Sequence, residues 1–107
     1  MMSSTVVDIL TAIKGIVILI SKIENLVDLG ILNQGQGNSL SAILQVVRQH
    51  IEQDKTTAAI KELGAFTNHI NAFLRADILS QSDGEELKSM ANNISIHLTL
   101  QHQAFSP

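Results

Sequence analysis

The chain has 107 residues, 45% hydrophobic and 16% charged, with mean hydropathy +0.21, enough for one domain with one core and too apolar for a disordered chain. Its net charge of −3 comes from ten acids and seven bases with no cluster of either sign; with only three aromatics, this argues against a nucleic-acid surface. Cysteine is absent, which excludes disulfides, thiol catalysis and Cys-ligated zinc but does not fix the compartment.

The first predicted helix covers about Thr5 to Leu29. Ile9, Ile13, Ile16, Ile20, Ile23 and Val27 recur at steps of four and three, which places them on one stripe. Ile18 and Leu19 fall outside that stripe. The helix is therefore either covered by a bundle or paired, in part, with a second copy or a parent domain; residues 6–20 are the segment through which a homodimer would form. Ile16 to Ile20 reads IVILI, but Lys14 and Lys22 bracket it too closely for a membrane span of roughly 20 residues. The preceding residues carry an acid and no base, so a signal peptide is not expected in this stretch.

Gly30 is a natural stop for this helix, because glycine adopts the left-handed C-terminal conformation without a Cβ clash. Ile31 and Leu32 are expected to plug the loop into the core. Gly35 and Gly37 suit a tight reversal, and Asn38 is the expected N-cap of the second helix. That helix runs to about Gln53, with Leu40, Ile43, Leu44, Val47 and Ile51 on one face.

Asp54 to Thr57 is a short polar break with two threonines as capping candidates. A third helix follows from about Ala58 to Arg75, with Ile60, Leu63, Phe66, Thr67, Ile70, Phe73 and Leu74 on its stripe. Gly64 inside it suggests a close helix–helix approach. The fourth helix is expected to open on a capping box of Ser82 and Glu85, with Ser80 and Asp83 as the weaker alternative. Leu87, Met90, Ala91, Ile94 and Leu98 form its stripe. Residues 101–107 have no period and read as a disordered tail. With short connections, the pattern predicts an all-α, antiparallel four-helix bundle: three core helices and a long apolar N-terminal helix.

Four segments in this order, LVDLGIL, NSLSAIL, AAIKELGAFTNHINAF and LSQSDGEELKSMANNI, resemble the FIMAH family. That family comprises small helical modules found mainly towards the C-termini of bacterial exported and surface-associated proteins. The resemblance divides the chain into residues 1–22, the N-terminal part of the first helix, and 23–100, the family-like bundle. It implies a non-catalytic accessory or interaction module, with an extracellular or cell-surface location and a protein or glycan partner, or the parent chain. Asn38, Ser39, Phe66, Asn68 and Ile70 match motif positions and read as structural, as do Gly30, Phe73, Ser80 and Ser82.

Candidate chemistry is sparse. Ser39, at the expected mouth of a helix, also fits a carrier protein, in which such a serine takes a phosphopantetheine arm and the helix dipole supports the phosphodiester. The short loop and the Asn at 38, where carriers usually have Asp, favour a capping serine instead. A histidine phosphotransfer relay would need an exposed histidine followed by Lys and Gly; His50 and His69 lack that context. His97 and His102 are five residues apart, off the one-turn spacing of a zinc pair. Gly35-Gln36-Gly37 lacks the third glycine and the strand–helix context of a nucleotide loop, and Glu85-Glu86 reads as a helix-start acid pair. No cofactor, metal or catalytic residue is expected.

Overall fold

Each amphipathic segment becomes one helix. The computed structural model describes the backbone of residues 2–104 and the side chains of residues 10–99. The helices are α1 (Met2–Asp28), α2 (Gln34–Glu52), α3 (Thr56–Arg75) and α4 (Gln81–Ala104), and there is no strand among the described residues. The fold is an all-α four-helix bundle, 46 × 21 × 20 Å. The helices form a ring: α1 touches α2 and α4, and α3 touches α2 and α4. Lys22 meets Glu86, and Gly15 lies against Ile94, so α1 and α4 pair in opposed register. Asn71 with Lys88, and Leu74 with Gly84, set α3 and α4 the same way.

The core is aliphatic with one ring at its centre. Phe66 is wholly buried among Leu19, Ile23, Leu40, Leu44, Leu63, Ile70 and Leu87 in one contiguous cluster. On α1 the buried line is Ala12, Ile16, Leu19, Ile23 and Leu26. It is rotated from the expected stripe: Ile13, Ile20 and Val27 pack at its edge, Leu19 is inside, and Ile9 lies outside the described side chains. Alanine at 12 explains the shift, since a residue too small to stand out in a hydropathy pattern sits where a neighbouring helix comes close. Phe73 is half-buried at the margin of the core.

Gly30 ends α1 at φ +78°, with its N–H donating to the Val27 carbonyl and that of Ile31 to the Leu26 carbonyl. This double bond pattern is the glycine-type C-terminal motif, and it satisfies carbonyls the helix leaves open. Leu32 then enters the core, as expected. The other two connections repeat the motif with aspartate: Asp54 at φ +62° and Asp77 at φ +60°. Their N–H groups donate to the Ile51 and Leu74 carbonyls, and those of Lys55 and Ile78 to the His50 and Phe73 carbonyls.

The helix starts differ from expectation. Asn33, not Asn38, caps α2: its Oδ1 accepts from the Gln36 N–H at 2.7 Å, while Gln36 Oε1 accepts from the Asn33 N–H at 2.9 Å. Gly35, Gln36 and Gly37 are therefore the first turn of the helix, not a loop. Helix α3 starts after Lys55 with no side-chain cap, and Thr56 and Thr57 are already helical. Ser80 caps α4, its Oγ accepting from the Asp83 N–H at 3.1 Å, and Ser82 lies inside the helix. In each case the helix begins earlier because a side-chain oxygen three residues upstream of a free amide takes it first. Helix α4 also continues through Gln101 to Ala104, so that part of the expected tail is helical; residues 105–107 lie outside the described residues.

The close approaches belong to glycines other than Gly64, whose would-be side chain meets open space. A Cβ on Gly37 would overlap Val27, and one on Gly84 would overlap Leu74. Gly15 is almost as tight, with a built Cβ 2.9 Å from Ile94 Cγ1.

Candidate interaction surface

The inner face of α1 leaves its outer face to solvent, and that face is apolar. Leu10 is 56% exposed, Val17 48% and Ile18 57%. Spacings of seven and eight residues bring these three to one side of a helix, away from the line of Ala12, Ile16 and Leu19. With Thr11, Ile13 and Lys14 they line a shallow depression of about 640 Å³. Lys14 supplies the one formal charge there and Thr11 the one hydroxyl. Such a surface offers apolar contact and little to orient a reacting group. The 10, 17, 18 spacing is visible in the sequence, where Ile18 stands out only as a residue off the stripe.

A second, more polar groove of about 400 Å³ lies between α1 and α2, with Glu24 and Asp28 facing Gln34, Asn38, Ser41 and Gln45. Asn38 is thus a groove residue in the second turn of α2, where Gln34 Nε2 donates to its Oδ1 at 3.1 Å. Ser39 is exposed on the same turn, inside the helix, where the free amides that would support a phosphodiester are already past. Phe66 and Ile70 are buried, and Asn68 is exposed.

The histidines do not converge. His69 is exposed, His50 and His97 are half-buried on α2 and α4, and His50 Nδ1 is buried without a hydrogen-bond partner. Among the described residues, no group of three His, Asp or Glu side chains could hold a metal ion. One ion pair joins α1 to α4: Lys22 Nζ to Glu86 Oε1 at 2.8 Å. The Glu86 carboxylate, by hydrogen bond first and then by charge, holds the Lys22 ammonium above the ordinary lysine range against a small opposing effect of burial.

Comparison with protein families places this arrangement. The FIMAH domain family model matches residues 18–95. The chain belongs to the FIMAH domain family. The match covers the end of α1, all of α2 and α3 and most of α4, together with all three connections. FIMAH domains are non-enzymatic helical accessory domains, and the bundle described here is one of that kind. Leu10 and Val17 precede the FIMAH match, and Ile18 is its first residue. Comparisons with curated proteins and with solved structures gave no match. No helix among the described residues is long and apolar enough to cross a membrane.

Proposed function

We propose that this FIMAH domain is a non-catalytic interaction module of a larger exported or cell-surface protein, and that the outer face of α1 is its contact surface. The single observation behind this reading is the exposure of Leu10, Val17 and Ile18 side by side on a helix whose other face fills the core. Contiguous exposed apolar side chains mark contact sites more often than scattered ones do. The partner that fits is a protein with an apolar patch of its own, in the parent chain or outside it. The domain by itself carries out no turnover, and it binds no nucleic acid.

The absence of native cysteine makes a direct test available. Ile18→Cys and, as a control on an exposed polar site, Lys61→Cys are produced in the native host. Both are treated with a membrane-impermeant maleimide, on intact cells and as purified chain. The expected result is that Lys61→Cys labels equally in both settings, while Ile18→Cys labels readily when purified and slowly on cells. Equal labelling of Ile18→Cys in both settings removes the contact surface, and an unlabelled Lys61→Cys on intact cells removes the surface location.

A further inference from the structure

Adding 47 to a residue number in the first half of the chain lands on its structural counterpart in the second. Gly30 and Asp77 hold the same left-handed position. Ile31-Leu32 and Ile78-Leu79 follow, and both leucines are buried. Asn33 and Ser80 cap the next helix by accepting from Gln36 and Asp83. Gln34 donates to Asn38 as Gln81 donates to Glu85. Gly37 takes Val27 against its backbone as Gly84 takes Leu74. Every buried core residue from Ala59 to Leu98 has a buried counterpart 47 places earlier. Helical period alone accounts for matching stripes, but not for the same loop, cap and glycine contact in the same places.

The connection between the two units is of another kind. Gln53, Asp54 and Lys55 are all exposed, no side chain caps the helix that follows, and no residue plugs into the core. Asp54 sits in a conformation that costs a non-glycine residue free energy. The three residues include neither glycine nor proline, so nothing prevents them from continuing a helix.

We propose that the domain is two copies of one helical hairpin, residues 12–51 and 59–98, and that each hairpin can dock on the opposite hairpin of a second copy of this chain, with residues 53–55 straightening as the hinge. The two halves bury equivalent faces against each other, so the surface that fits one hairpin is already present on any second chain. In the single chain the short connection keeps the halves at a high effective concentration, and the closed form prevails. Removing the ability to turn at 53–55 leaves exchange as the way to bury both faces. The same correspondence sets Leu10, Val17 and Ile18 against Thr57, Gly64 and Ala65 on α3. Hairpin packing therefore does not call for apolar residues on the outer face of α1.

Two hinge variants test the proposal: one lacks Asp54 and Lys55, and the other carries Gln53→Ala, Asp54→Ala and Lys55→Ala. Each also carries Lys22→Cys and Glu86→Cys, which face each other across the two hairpins, and is treated with a short bis-maleimide. The expected result for at least one variant is a doubled mass by light scattering and a cross-link joining two chains on a denaturing gel. The same cysteine pair with the native hinge cross-links within one chain. If both variants are monomeric or unfolded, or form dimers whose cross-link stays within a chain, the proposal is overturned.

Discussion

Leu74 of α3 occupies the space that a side chain on Gly84 of α4 would need: a Cβ there would meet Leu74 Cγ at 2.7 Å and Cδ1 at 2.8 Å, with Cδ2 nearer still. Gly84 is buried in the first turn of its helix, so the methyl group has nowhere else to go. Alanine gains up to ~1 kcal/mol in helix propensity, but overpacking costs about 1–3 kcal/mol. Gly84→Ala is expected to lower stability on balance, measured by urea unfolding. Adding Leu74→Ala should recover part of the loss, because the two residues compete for one volume.

Gly64 has the opposite environment. It is exposed in the middle of α3 and nothing lies within reach of an added Cβ. Gly64→Ala should therefore stabilise the domain by about 0.5–1 kcal/mol, through reduced freedom of the unfolded chain and better propensity. An unchanged or lower urea midpoint would show a contact at this face.

The three left-handed positions should respond in opposite directions. Asp54 and Asp77 carry a side chain where glycine is at ease. Asp54→Gly and Asp77→Gly are each expected to raise stability by several tenths to about 1 kcal/mol, less the added freedom of glycine in the unfolded chain. Gly30→Ala should lower it by about 1 kcal/mol. Thermal melts of the three variants give the comparison directly.

The two described phenylalanines are not equivalent. Phe66 is wholly buried, and truncation to alanine should cost about 3–5 kcal/mol. Phe73 packs at the margin and remains partly exposed, so Phe73→Ala should cost clearly less, about 1–2 kcal/mol for the smaller area returned to water. Equal losses in chemical unfolding would place Phe73 in the centre of the core.

Alkaline pH should reveal the α1–α4 ion pair. Glu86 raises the Lys22 pKa in the folded state, so folding takes up protons from solution in the range between the unfolded and folded values. The stabilisation is complete below the ordinary lysine value, near 10.4, and is lost as pH rises through the higher folded value. The melting temperature of Lys22→Gln should fall below that of wild type by a constant small amount from about pH 7 to pH 10, and the two should converge at more alkaline pH. High salt should narrow the gap, because the pair is partly exposed.

The sequence by itself determined that the chain is all-helical, where Gly30 ends the first helix, that Phe66 and Ile70 are inside, and to which family the segments belong. These rest on local chemistry, namely a period of three to four residues and the freedom of glycine at positive φ. Only the tertiary structure decided which way each stripe faces by one residue, which polar side chain caps each helix, and which glycines are pressed against a neighbour. Ala12 is buried and Ile18 exposed although hydropathy ranks them the other way, because burial depends on where the next helix lies. Asn33 and Ser80 took the caps expected of Asn38 and Ser82, because each reaches a free amide one turn or less upstream. Gly64 and Gly84 look alike as letters; their difference lies in Leu74, brought against one of them by the packing of α3 on α4.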